Sequence, residues 1–150
     1  MKMLRMLAPV ALAAATLTVP QVALAQDSEW PMTSGEYVDV AGISIDDGHG
    51  LDYAKFLAAT WRKGQEFAKS QGWITGYEVM YNVHPRKGEP DVYLLTRFVK
   101  WATPEEEEAR GKVYRAHMAM TESQMQAASA GRAEYRHVQG SMLLQVGKFK

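Results

Sequence analysis

The stretch from Gly72 to Glu108, GWITGYEVMYNVHPRKGEPDVYLLTRFVKWATPEEEE, decides the fold. Two β-rich runs, Trp73–Val83 and Val92–Trp101, flank a loop, His84–Pro90, that carries a proline near each end, and this predicts a β-hairpin. Thr103-Pro104-Glu105-Glu106 follows at once. A threonine cap, a proline at the first helical position and a glutamate three residues after the cap predict a helix start. The glutamates Glu105 to Glu108 then sit at the positive end of the helix dipole, as a solvated first turn. That helix is expected to run from Pro104 to about Ala130, with Gly131 ending it.

On the N-terminal side, Tyr53, Phe56, Leu57, Trp61, Phe67 and Ala68 recur at helical spacing between Leu51 and about Gln71. Arg62, Lys63, Glu66 and Lys69 occupy the opposite face, and Gly72 stands where a helix C-terminal glycine belongs. Tyr37–Ile45 is β-branched and reads as a first strand, joined to the helix by the turn Asp46-Asp47-Gly48-His49-Gly50. Tyr135–Val146 reads as the last strand. The order βαββαβ predicts an α+β domain of the ferredoxin-like split type, with strand order 4-1-3-2 and both helices on one face of an antiparallel sheet. In the hairpin, apolar residues occupy both parities: Trp73, Tyr77, Val79, Tyr81 and Val83 against Ile74 and Met80, and Val92, Leu94 and Phe98 against Tyr93, Leu95, Val99 and Trp101. Both faces then need cover. Helices cover one, and the sheet of a second copy is the simplest cover for the other, so a homodimer is expected.

The chain has 150 residues with 17 Lys+Arg, 17 Asp+Glu and no cysteine. Met1-Lys2-Met3-Leu4-Arg5, the uncharged run Met6–Val19 and the small-x-small site Ala23-Leu24-Ala25 read as an export signal over residues 1–25, too short to be a membrane span. Its removal leaves 125 residues, the size of one domain, with 15 cationic side chains against 17 acidic ones. Residues 26–35 read as a loose leader and 36–150 as the domain. Export and the absence of cysteine together point to a soluble periplasmic protein. The net charge of −2 supplies no basic field for nucleic acid, and no disulfide, zinc ribbon or thiol nucleophile is available.

An Asp-Gly-His-Gly turn (Asp47–Gly50) leading from a strand into a Tyr/Trp-rich helix, followed by Gly-Trp-Ile-Thr-Gly-Tyr (Gly72–Tyr77), resembles the dimeric α+β barrel superfamily over about residues 36–148. That group includes small cofactor-free oxygenases, muconolactone-isomerase-like proteins and stress-induced barrel domains. The resemblance lies in topology and texture, and it carries no family catalytic signature onto particular residues.

Candidate chemistry comes from polar residues set among apolar ones. In the 4-1-3-2 order, Asp39 on strand one is expected to meet Arg97 on one side and His137 on the other. Such a group would orient a substrate acid or move protons, or act as a structural ion pair or interface contact. On the second helix Arg110, Tyr114, His117, Thr121 and Met125 form a stripe that places His117 near the middle of the buried face. His117 and Arg97 are expected to share a cavity beneath the helices, with Tyr77 or Tyr81 on its wall. Tyr53, Trp61, Trp73 and Tyr81 would line an aromatic-accepting pocket or simply belong to the core. Asp46, Asp47 and His49 lack a matching second ligand cluster, so no metal is expected. Gly-x-Gly-x-x-Gly, phosphate-loop and Gly-x-Ser-x-Gly patterns are all missing, so no cofactor is expected either.

Two functions follow. One is a cofactor-independent lyase, isomerase or oxygenase acting on a small aromatic or enolisable molecule. The other is a non-catalytic small-molecule-binding or stress-related dimer. The export reading makes its own prediction: the mature protein begins at Gln26. Intact-mass measurement of protein recovered from the native host tests this, and retention of residues 1–25 there refutes it.

Overall fold

A computed structural model describes residues 29–150. The expected signal, residues 1–25, and the first part of the expected leader lie outside the described residues. Four strands, β1 (Met32–Ile45), β2 (Gly76–Tyr81), β3 (Val92–Phe98) and β4 (Arg136–Phe149), form one antiparallel sheet in the order β2-β3-β1-β4. That is the 4-1-3-2 arrangement, and the domain is an α+β, ferredoxin-like fold.

Alternation along β1 assigns the two faces. Ile43 pairs with Val92 and packs under Tyr53 and Leu57, so Ile43 and Ile45 point to the helices. Val38 and Val40 point the other way and form a second small core with Leu95. Met142 and Leu144 on β4 pair with Val40 and Val38 and so share that second face, where both are half exposed. Apolar side chains therefore line both faces, as the parity of the strands required.

The first helical rod consists of α1 (Gly50–Phe56), a π-helical turn (Leu57–Trp61) and α2 (Arg62–Ser70). Within the π-turn, Trp61 sets its ring edge-on to Tyr77 at 5.3 Å between centroids. Three residues after Trp61, Gly64 makes room for Tyr114: a β-carbon there would lie 2.1 Å from the Tyr114 hydroxyl.

Three sequence expectations change. Met32–Gly35 belong to β1, not to a leader, because the end of β4 extends far enough to pair Met32 with Phe149 and Ser34 with Gly147. Backbone pairing there outweighs a weak side-chain signal. The helices do not include a single rod from 104 to 130, but α3 (Pro104–Met118) and α4 (Glu122–Arg132). Ala119 breaks them at φ 54 and ψ 39, in the left-handed region. The amides of Ala119 and Met120 return to the carbonyls of Ala116 and Arg115, closing a Schellman motif with alanine where glycine is usual. Thr121 and Gln124 then form a second capping box. Third, β2 and β3 are shorter than their apolar runs, since Trp73, Ile74, Val99 and Trp101 fall outside the ladder.

Left-handed alanine is strained by roughly 1–2 kcal/mol, and part of that gain on substitution is offset by glycine's freer unfolded chain. Ala119→Gly is therefore expected to stabilise the protein by about 0.5–1 kcal/mol, raising Tm by roughly 2–5 °C in calorimetry. A lower Tm would show that the break is not under backbone strain.

Candidate functional site

The site with the strongest chemical character lies at the end of the sheet where α2 gives way to β2. A Schellman turn positions its first wall. Gly72 adopts φ +68, its amide bonds to Lys69 and the Trp73 amide to Ala68. The turn's hydrophobic clasp is Trp73 against Phe67, edge-on at 5.5 Å. Tyr114 on α3 completes this wall, 6.3 Å from Phe67. The opposite wall comes from the end of β3, where Phe98 stacks on Tyr37 at 5.6 Å and Trp101 meets Phe98 edge-on at 5.0 Å. Thr103 and Glu106 form the capping box that starts α3, and Lys100 donates to Glu106 at 2.9 Å, which holds the chain around Trp101.

Between the walls lies an open cleft of about 330 Å³. Apolar cavities near 150 Å³ accept benzene, so a molecule larger than one ring fits here. Trp101 is 60% exposed, a costly way to place an indole unless something covers it. Lys100, Glu107 and Arg110 supply the charged rim. The Arg110 guanidinium lies over the Trp73 ring at 5.6 Å, and its nearest carboxylate, Glu106, is 4.0 Å away and already shared with Lys100. Its donors are therefore free to meet an acceptor in the cleft. Burial pushes the Tyr114 phenol up from its ordinary range, so it stays protonated at neutral pH.

The sequence-nominated residues are dispersed. Arg97 pairs across β1 with Val38, not Asp39, and this one-residue difference sends Arg97 to the face away from the helices. There Arg97 donates to Glu78 at 3.3 Å and Glu36 at 3.4 Å. Glu36 also accepts from Thr75 at 2.7 Å, and that bond, helped by Arg97, holds its carboxyl below the usual range. Asp39 lies opposite Thr96 and Leu143. His137 pairs with Ser44 on β1 and approaches Asp46 at 2.9 Å. The expected Asp39–Arg97–His137 group is not assembled.

His117 is exposed, stacked flat on Phe67 at 4.0 Å. The inner row of α3 runs Arg110, Tyr114, Met118, and Met118 takes the buried place expected for His117. With α3 on the helix face and Arg97 on the other, the sheet separates the pair and no shared cavity exists. Tyr77 faces the helices and donates to Glu66.

Of the aromatic set, Trp73 alone lines this cleft. Tyr53 and Tyr81 border a second opening of about 400 Å³ at the other end, beside Asp46, Asp47 and Asp91. Its carboxylates are partly engaged, Asp46 with His137 and Asp91 with the Ile45 amide at 2.8 Å. Trp61 lines a small pocket of about 120 Å³ under α4. Among the described residues no group of three or more His, Asp or Glu is placed to hold a metal. His49 instead approaches Asp52 at 3.2 Å and stacks on Tyr135. Phe98 and Trp101 join the site without having been singled out by the sequence, and Arg110, the first residue of the second-helix stripe, takes the place at its rim; the available signal is a tryptophan at the helix-flanked end of each apolar run, Trp73 opening the first and Trp101 closing the second.

No protein-family model matches the chain, and no curated protein matches it. It is similar to a solved structure described as a dimeric ferredoxin-like protein of unknown function from Thermobifida fusca. Identity is 12%, covering 77% of this chain and 93% of that one, with a TM-score of 0.34. The ferredoxin-like assignment rests on this chain's own strand order and helix placement. No helix among the described residues is long and apolar enough to cross a membrane.

Proposed function

We propose that the protein is an exported small-molecule-binding homodimer whose ligand is an aromatic molecule carrying a hydrogen-bond acceptor, such as a phenol or aromatic acid. The observation that carries this reading is the cleft lined by four aromatic side chains, Trp73, Tyr114, Phe98 and Trp101, with Arg110 at the rim. A planar ring gains dispersion from both walls, and the guanidinium supplies direction. Catalysis by the lyase, isomerase or oxygenase route has less support. None of the four histidines lines the cleft, and Asp39 and Arg97, though on neighbouring strands, point to opposite faces of the sheet, away from any site shared with His117 and His137. An enzymatic role would have to fall to Glu107 and Tyr114.

The second copy is inferred from the sheet face that no helix covers. Val38, Val40 and Leu95 form its centre, with Met80, Met142 and Leu144 around them, each close to half exposed. A two-fold axis would lay two such faces together, apolar on apolar, with the Glu36–Arg97–Glu78 cluster towards one end.

Tryptophan fluorescence quenching with benzoate, 4-hydroxybenzoate and 2-naphthoate tests the cleft. At least one is expected to bind, with Trp101→Ala weakening it about tenfold or more and Arg110→Met about threefold to tenfold, on the usual scale of a lost aromatic or charged contact. Binding unchanged in both variants places the ligand elsewhere. For the dimer, Leu144→Glu is expected to convert a two-chain mass in light scattering to one chain while circular dichroism stays native. A wild-type monomer at micromolar concentration refutes the interface.

A further inference from the structure

At the opposite end of the helix layer from the cleft, three buried polar atoms lack a hydrogen-bond partner among the described residues: the Tyr53 hydroxyl and the Nε atoms of Arg132 and Arg136. They belong to one corner, where α4 returns to β4. Tyr53 is 1% exposed and lies in the main core. Arg136 opens β4 opposite Ile45, on the side that faces the helices. Arg132 ends α4 with its guanidinium over the Phe56 ring at 3.9 Å, and Phe56 stacks on Tyr53 at 5.7 Å. No carboxylate among the described residues forms an ion pair with either arginine: Asp46 is held by His137, and Glu134 is exposed.

We propose that Arg132, Arg136 and the Tyr53 hydroxyl form a binding site for an oxyanion, the carboxylate or phosphate group of a small molecule. An arginine cannot shed its charge at physiological pH, so two neighbouring half-buried guanidiniums need an anion. Burial, and then the charge of Arg136, pulls Arg132 down from its ordinary range; burial raises Tyr53 against the nearby charges of Arg136 and Arg132, and Arg136 lies close enough to the phenol oxygen to donate to it, so the Tyr53 hydroxyl keeps its own proton to donate. Planar forks and a hydroxyl suit an oxyanion, which accepts several hydrogen bonds at once, better than a single-atom halide. The Phe56 ring fixes one fork from below, and Arg132 also borders the small pocket lined by Met118 and Met125, where an apolar part of the same ligand would fit. The arginine corner lies away from the aromatic cleft, with Tyr114 common to the cleft and the small pocket, and it does not depend on the ligand proposed for the cleft.

Thermal melts of the protein in sodium phosphate or sodium acetate, against sodium chloride at matched ionic strength, test the assignment. At about ten times Kd the bound anion is expected to raise Tm by roughly 3–5 °C beyond chloride. Arg132→Met and Arg136→Met should each abolish that rise while melting in chloride no lower than wild type, since each removes an uncompensated cation; Trp101→Ala should keep it. A response to acetate alone assigns a carboxylate ligand, and one to phosphate alone a phosphate ligand. Titration of the wild type followed by the arginine Nε–H signals in NMR gives a reading independent of variant folding: two resonances should shift and saturate. An anion effect no larger than that of chloride, or one that survives in both arginine variants, overturns the site, as do Nε–H signals that stay still.

Discussion

The two-sided packing of β1 is the constraint on which the rest of the molecule depends. As the inner strand bonded to β3 and β4, it must satisfy two neighbours in the sheet and present apolar groups to two faces. Its odd positions, Ile43 above all, meet Val92, Tyr53 and Leu57 and hold the first helical rod down. Its even positions, Val38 and Val40, build a separate cluster with Leu95. Moving β1 by one residue would exchange these sets and expose both cores at once, so the register is strongly determined. Close passage is also required: at Gly42 a β-carbon would sit 2.6 Å from Pro90, so the hairpin loop can fold against β1 only over a glycine.

Periodicity shows which residues alternate, but it does not set the phase of one element against another. The order of elements, the strand order and the side taken by the helices were all legible, because they follow from apolar spacing, caps and the limited ways such elements connect. Arg97 shows where legibility ends. Asp39 and Val38 are both reasonable partners for it on hydrophobic pattern, yet the observed choice of Val38 moves the guanidinium to the other face of the sheet. His117 repeats the lesson on a helix, where one residue is worth about 100° of rotation. Met118, one step on, takes the buried row and leaves His117 stacked on the outside of Phe67.

Aromatic content was legible while its distribution was not. Tyr53, Trp61, Trp73 and Tyr81 all lie on the helix side, but the rod they flank is long enough to divide that side into separate openings. Local turn chemistry decides which aromatic enters which opening. Gly72 turns the chain so that Trp73 clasps Phe67, and the Thr103 cap halts the chain just past Trp101. The break at Ala119, invisible to propensity because alanine is the best helix former, turns α4 back towards β4 and brings Arg132 over Phe56.

Tyr114 links the packing to the choice between binding and turnover. Its ring forms part of the cleft wall and also reaches the small pocket under α4, and its hydroxyl lies so close to Gly64 that no larger residue fits there without moving it. A phenol fixed in this way, with burial holding its proton on, is a good directional donor and a poor base. A ligand contacting it would be oriented but would receive no phenolate attack at neutral pH. Proton transfer in the cleft would then rest on the Glu107 carboxylate in the first turn of α3. A fixed phenol donor beside the aromatic side chains of the cleft is what the binding role proposed above calls for.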